Sequence, residues 1–340
     1  MTTIYARTHS VVCSPLDFIQ RPLLWHEMII RYRAHFTCAP NFAFGLVIKR
    51  LEQEGLLASA DWSCLHCVVL GGEPTEACTL KRMTTALRVH PGALYSMFGM
   101  AECGLRVTAG PALTLADGIV SCGEACDALV STRIVNADDG GRRVLLEGEV
   151  GSIWVRTQLA ASGYWGQPEL SEATFGNVLP GEAGVWLDTG DLGKIAEGQL
   201  CVTGRLKDVI IIYGKNYMAT DVERCLEDAF ATEIRPGSTA AFQHDSSSVG
   251  IVAEARKGGE KNVPAPAQLR ALVQQTLGVQ VHYVCVCRPG TRADGGSNPA
   301  RVPAASLRLA EQIPDRQRAE LFCVHPVQCL RHKAGSSNVR

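Results

Sequence analysis

Asp188, Asp191 and Arg205 are the residues of this chain whose types and spacing first suggest chemistry. They lie in Leu187–Glu223, LDTGDLGKIAEGQLCVTGRLKDVIIIYGKNYMATDVE, where glycines at 190, 193, 198, 204 and 214 punctuate two short strands around a turn. An acid and a base flanking glycine turns present polar groups to a ligand. The same pattern also serves plain turn chemistry, which is its commoner use. Val209–Ile212 is apolar, β-branched and bounded by charge and glycine, so it reads as a buried strand before a helix start.

Residues 14–36 start with a turn and continue as a helix, with Leu23, Leu24, Glu27, Met28 and Arg31 at helical spacing and Pro22 suited to the first turn. A second amphipathic helix spans 41–57 and ends at Gly55. Cys67–Leu70 is a short strand running into Gly71-Gly72-Glu73-Pro74, and 76–89 is a third helix. Ala93–Phe98 is the next strand, followed by the loop Gly99-Met100-Ala101-Glu102. Strand, glycine turn, helix is the α/β signature, and ligands sit at the carboxyl ends of such strands. From 120 to 202 the pattern changes to short alternating strands. After Lys207 a smaller α+β unit follows, with helices near 219–231 and 266–277 and strands near 238–255 and 281–287. Residues 289–303 carry loop chemistry only, and the tail after His325 is expected to be disordered. The expected organisation is therefore a large region, 1–206 (α/β to 117, β-rich from 118), a small domain, 207–325, and a tail, 326–340.

A chain of 340 residues accommodates two such domains. Hydrophobic and charged fractions of 46% and 20% are ordinary for a globular protein. A net charge of −1 gives no electrostatic reason to expect nucleic acid or an anionic membrane as partner. No apolar run approaches the roughly 20 residues of a membrane span, and MTTIYARTHSVVC lacks the apolar core of a secretory signal. A cytoplasmic location is expected. The fourteen cysteines are scattered through apolar stretches and read as reduced, buried thiols. Cys64-x-x-Cys67 encloses His66, but no second pair stands at zinc-ribbon spacing. His26-Glu27 does not begin a zinc-protease motif, because Ile30 stands where the second histidine belongs.

The words themselves are more specific. TGDLG, then GRLKDVIII, GKN and D-V-E, resemble the adenylate-forming superfamily of acyl- and aryl-CoA synthetases, adenylation domains and luciferases. SPLDFIQRP, APNFAF, GGEP (71–74), FGMAE (98–102), VSCGEA (120–125), GEVGSIWVR (148–156) and SGYWGQPE (162–169) follow in the order of its fatty-acyl-AMP ligase branch. The resemblance covers roughly residues 11 to 291. It implies the C-terminal part of the large adenylate-forming domain, an α/β sheet plus β-rich subdomain, followed by a small α+β domain. It also implies ATP-dependent activation of a fatty acid as acyl-AMP, for transfer to an acyl carrier protein or CoA. By resemblance Phe98 stacks on adenine, with Gly72, Glu73 and Pro74 lining the other side and Gly99, Met100 and Ala101 completing the turn. Asp191 accepts the ribose hydroxyls, Arg205 supports ribose and phosphate, and Glu102 is the Mg²⁺ carboxylate. For Asp191 and Arg205 an internal ion pair is the competing reading. Lys207 marks the hinge between domains. Asn41 and Phe42, with the helix from Pro22, line the acyl tunnel. Asn216, Tyr217, Asp221 and Glu223 match a stretch that serves domain packing, in which Lys215 replaces an arginine.

Three features depart from the family pattern. The Ser/Thr/Gly-rich phosphate loop, which ends in a Pro-Lys-Gly word, has no counterpart among these 340 residues. The catalytic lysine expected after Pro289-Gly290-Thr291 is replaced: a gapless overlay puts Pro299 there, and Arg301 is no substitute for a mobile ammonium. The segment from Leu105 to Val120 is also too short for the insertion that the branch carries. Two expectations follow: an acyl-activating ligase impaired as this chain alone, or a non-catalytic nucleotide- or acyl-binding remnant.

Overall fold

A computed structural model describes residues 5, 7–115, 117–126, 129–136, 143–213, 215–244, 247–257 and 263–287. The chain divides into two compact units, Met1–Leu206 and Lys207–Arg340.

In the first unit, Ser14 caps a short helix, α1 (Pro15–Gln20), by accepting the Leu16 N–H at 3.1 Å. Pro22 then leads into α2 (Leu23–Tyr32), which Arg33 stops in a left-handed conformation. Strand β1 (Phe36–Ala39) and helix α3 (Asn41–Gln53) follow, then β2 (Cys67–Gly71), α4 (Ala77–Ala86), β3 (Leu94–Phe98), β4 (Thr108–Pro111) and β5 (Glu124–Ala125). These five strands form one sheet in sequence order, with β1, β2 and β3 parallel and β4 and β5 antiparallel. Phe44, Val47, Ile48 and Leu51 recur at i, i+3, i+4 and i+7 along α3, and all four are fully buried with Trp62, Val68, Leu70 and Met83. Burial of that kind stabilises by about 2 kcal/mol per side chain. Two indoles inside this cluster keep their N–H groups bonded, Trp62 to His26 Nδ1 at 2.9 Å and Trp25 to Thr37 Oγ1 at 3.2 Å. Part of the Leu105–Val120 stretch is taken up by β4.

A second sheet holds β6 (Val130–Val135), β7 (Gly151–Thr157), β8 (Leu187–Ala196) and β9 (Gln199–Arg205), all antiparallel and in that order. Helix α5 (Pro168–Phe175) lies between β7 and β8 in the chain. The strand-rich reading of this region had not anticipated it.

The second unit opens with a hairpin, β10 (Val209–Ile212) and β11 (Lys215–Met218). Here the expected buried strand is corrected. Ile210 and Ile212 are buried, but Ile211 is 47% exposed, because a two-stranded ribbon has one wet face and side chains alternate across it. β11 escaped the sequence reading because Lys-Asn-Tyr carries no strand signal. α6 (Ala219–Ala229) precedes β12 (Ala240–Gln243) and β13 (Val249–Glu254). α7 (Pro266–Leu277) leads to β14 (Val281–Cys287), which lies parallel to β13. Val222, Leu226, Leu269 and Val273 bring both helices onto this sheet. The Glu227 carboxylate accepts three consecutive backbone N–H groups, from Gly237, Ser238 and Thr239, at 2.6, 3.0 and 2.9 Å. The expectations for Pro299, Arg301 and the tail 326–340 lie outside the described residues.

Candidate functional site

The carboxyl end of β2 is closed by Gly71 and Gly72. A Cβ on Gly71 would stand 3.1 Å from the Met97 carbonyl, and Gly72 has φ +85°, a conformation that favours glycine. The next residues are tied down by α3. Glu73 Oε1 accepts the Phe42 N–H at 2.5 Å, and Asn41 Oδ1 accepts the Glu76 N–H at 3.1 Å. Deeper in, the Thr75 and Ser96 hydroxyls meet at 3.0 Å. Burial pushes the Glu73 carboxyl above its ordinary range; the Phe42 N–H works against that, and nearby Glu76 adds to it. Asn41 and Phe42, assigned by resemblance to an acyl tunnel, thus also fasten the Glu73–Glu76 loop. Asn41 is buried in doing so, while the Phe42 ring is half-exposed.

The turn after β3 is governed by one steric fact. A Cβ on Gly99 would lie 1.5 Å from the Leu105 carbonyl oxygen, so only glycine fits. Met100 O accepts the N–H groups of Cys103 at 3.2 Å and Leu105 at 2.9 Å, closing a single turn of 3-10 helix, Ala101–Cys103. Cys103 anchors it in the core, where burial raises the thiol to about 11. Phe98 is only 8% exposed and packs with Cys103, Val107, Ile153, Leu187 and Leu200. The ring belongs to the core, and what the turn offers to solvent is Ala101, the Glu102 side chain and glycine backbone.

Glu102 Oε1 accepts the Tyr164 hydroxyl at 2.9 Å, and its backbone carbonyl accepts the Ala161 N–H at 2.8 Å. Tyr164 is placed in turn by α5, through its N–H to Ser171 Oγ at 2.7 Å and its ring against Phe175 at 5.4 Å. Burial, then the bond to Glu102, raises the Tyr164 pKa. Tyr164 is a site residue that the word SGYWGQPE does not single out by itself; a tyrosine among glycines in a non-helical word is the available signal.

Asp191 sits in a bulge. β7 and β8 pair Trp154 with Asp188 and Ser152 with Leu192, so three residues, Thr189–Asp191, oppose the single Ile153. The bulge satisfies itself. Asp188 Oδ1 accepts from Ser152 Oγ at 2.8 Å and from the Gly190 N–H at 3.0 Å. Thr189 Oγ1 donates to the Ile153 carbonyl at 2.7 Å and accepts the Asp191 N–H at 3.1 Å. Asp191 is directly opposite Arg205 on β9, and Arg205 Nε meets Asp191 Oδ1 at 3.1 Å. The ion-pair reading is therefore realised, yet asymmetrically: the aspartate side chain is 15% exposed and the arginine 67%. Leu187, four residues before Asp191, packs with Phe98 and Cys103. Asp191 is thus within about 13 Å along the strand of the core that holds the Gly99–Glu102 turn.

Lys207 lies in the 3-10 turn Leu206–Asp208, exposed, at the start of the second unit. Beyond it, Lys215 stacks over the Tyr217 ring at 4.9 Å, and Glu223 Oε1 accepts the Ala241 N–H at 2.9 Å. Both contacts are internal to that unit.

Residues 1–165 match the sequence profile of the family described as AMP-binding enzyme. The chain is 31% identical over 329 residues to the putative fatty-acid–CoA ligase fadD25 of Mycobacterium tuberculosis, covering 85% of this chain and 55% of that protein. It is 30% identical over 295 residues to the long-chain-fatty-acid–AMP ligase FadD26 of Mycobacterium marinum, covering 78% and 50%. A structure from work on fatty acyl-adenylate ligases of E. coli and L. pneumophila superposes with a TM-score of 0.70 at 26% identity, over 87% of this chain and 56% of that one. The chain belongs to the adenylate-forming superfamily. Within it, these relatives put the chain on the fatty-acyl-AMP ligase branch. It spans about half the length of the curated relatives it matches.

Proposed function

We propose that this chain supplies the adenosine-binding part of an enzyme that activates a fatty acid with ATP as acyl-AMP, for transfer to an acyl carrier protein or CoA. One observation carries the reading: the Thr189–Asp191 bulge holds a carboxylate and Arg205 together at a strand end, in a chain whose first 165 residues match an AMP-binding family. A short carboxylate on a rigid turn accepts two vicinal hydroxyls, and a mostly exposed guanidinium is available to a phosphate. The backbone at Gly72, with open space where a side chain would stand, lets a flat base approach the main chain closely. Glu102 fits a hard cation in a limited way: it is one carboxylate oriented by Tyr164, and no cluster of three or more acidic, histidine or cysteine ligands exists among the described residues. Mg²⁺ is commonly held by one or two carboxylates with substrate phosphates completing its shell, and it would neutralise phosphate charge there. No helix among the described residues is long and apolar enough to cross a membrane. The reading includes a cytoplasmic location and Lys207 as the hinge between half-reactions.

Titration with a non-hydrolysable acyl-adenylate tests the proposal. Saturable binding that weakens at least tenfold in Asp191→Ala supports it; no binding, or binding indifferent to Asp191, overturns it. ATP–pyrophosphate exchange with a long-chain acid should be undetectable with these 340 residues alone, because neither the phosphate loop nor a lysine at position 299 is among them. The second reading, a non-catalytic binding module, is favoured by that same proline. It predicts binding that stays unproductive when the phosphate-loop part is supplied separately.

A further inference from the structure

Two thiols of the second unit meet without being joined. Cys285 and Cys287 alternate with Val284 and Val286 along β14, so both point to the face of the sheet away from α6 and α7, while the two valines pack under those helices. β14 is the outer strand in the order β12-β13-β14. The two sulfurs stand 3.9 Å apart. Beside them Val252, Tyr283 and the partly buried Phe242 make an apolar wall, with the Phe242 ring over Gly250, where a Cβ would stand 2.4 Å from it. Cys285 is buried and Cys287 half-buried. The hydrogen bond with Cys287, then burial, then the neighbouring sulfur hold the Cys285 thiol protonated far above its ordinary range.

Geometry separates two uses of such a pair. A disulfide needs Cβ atoms about 3.8 Å apart and sulfurs about 2.05 Å apart. Residues two apart on a parallel strand are about 6.6 Å apart, and the pairing of Cys285 with Val252 and of Cys287 with Glu254 fixes β14 at both positions. Closing the bond would pull the strand out of that register. A shared ion asks less. Two thiolates about 2.3 Å from one tetrahedral ion lie about 3.8 Å apart, which the sulfurs already match. Charge agrees with distance: a single thiolate against an apolar wall is costly, whereas a dication with two thiolates is neutral. Oxygen-preferring ions are poorly served, because the acid beside Cys287 in register, Glu254, is held by Arg235 at 3.0 Å.

We infer that Cys285 and Cys287 form a two-thiolate site for one soft divalent metal ion. On binding, two S–H bonds break, two metal–sulfur bonds form, both protons leave to water, and no atom is oxidised. No group of three or more His, Cys, Asp or Glu ligands exists among the described residues, and water or a small thiol fills the remaining positions on the ion.

Cd²⁺ is the probe, because its charge-transfer band with thiolates is read in the ultraviolet. The reduced 340-residue chain is titrated with Cd²⁺ against a competing carboxylate chelator, with Cys78, exposed on α4, as the control position. One tight equivalent should bind, and its affinity should fall at least tenfold in Cys287→Ser, a near-isosteric change at a half-buried position. Cys285→Ser should lose the same equivalent, and the double variant no more than either, because a chelate fails when one arm is removed. Cys78→Ser and an excess of Mg²⁺ should leave it unchanged. The inference is overturned if no tight equivalent binds, if Cys287→Ser, folded by circular dichroism, keeps it, if the two single losses add, or if Mg²⁺ displaces Cd²⁺. It fails equally if glutathione disulfide converts the pair into a disulfide in the folded chain, located by peptide mapping. No acyl-adenylate enters these readings, so their outcome is independent of the functional proposal.

Discussion

The Gly99–Glu102 turn and the Asp191 bulge are held by different means. The turn is a steric object: Gly99 touches a carbonyl, Leu105 is forced to φ +89°, and Cys103 is sunk in the core. The bulge is a polar object, in which side-chain oxygens of Asp188 and Thr189 replace ladder hydrogen bonds and a surface-facing arginine completes the set. A backbone clash cannot relax cheaply, whereas an ion pair whose arginine is mostly exposed contributes little to stability. The turn should therefore fail by unfolding and the bulge by losing ligand.

Gly99→Ala is the harshest test of that contrast. A methyl group 1.5 Å from the Leu105 oxygen forces the turn apart, and urea unfolding of the first unit should register a loss of about 3 kcal/mol. An alanine variant as stable as the parent would show that the turn is not sterically determined. Asp191→Ala comes next. Acyl-adenylate affinity should fall at least tenfold, while stability changes by less than about 1 kcal/mol. The reverse result, intact binding with a destabilised fold, would make the pair a structural one and erase the distinction.

Tyr164→Phe sharpens the comparison on the turn's side. It removes one hydrogen bond to Glu102, worth about 1 kcal/mol. Its signature is a higher Mg²⁺ requirement for ATP binding with unaltered Mg²⁺-independent binding of the acyl-adenylate; weakening both equally would assign Tyr164 to packing alone.

The smallest effect is at Glu73. Its carboxyl is raised above the ordinary 4.5 by burial, so the folded state holds the proton more tightly than the unfolded one. That contribution is fully present below 4.5 and is lost as pH rises through the raised folded value. Glu73→Gln keeps an acceptor for the Phe42 N–H and should flatten the stability profile across that window. An unchanged slope in thermal melts from pH 4 to 7 would refute it.

Much of the fold was legible in advance. α7 occupies 266–277, the range expected for it, and Phe44, Val47, Ile48 and Leu51 form the buried stripe of the amphipathic helix expected over 41–57. The glycine turns after β2 and β3 were also visible, since a glycine between an apolar strand and a polar word has few other uses. α5 and β11 were missed because Pro-Glu-Leu-Ser and Lys-Asn-Tyr-Met have weak local signals, and neighbouring strands and core contacts decide them. At the site, residue types were legible and their partners were not. Glu102 and Tyr164 are 62 positions apart, and Asn41 and Glu76 are 35 apart.

By itself the sequence determined which turns need glycine, where periodicity makes helices and strands, and which branch of the superfamily the words resemble. These follow from local sterics and from repeats of two and 3.6 residues, which need no distant neighbour. Only the tertiary structure decided that Phe98 is a core ring and that Asp191 and Arg205 already hold each other. Those depend on which strands lie side by side and what covers them, and adjacency across a sheet is set by the packing of the whole unit.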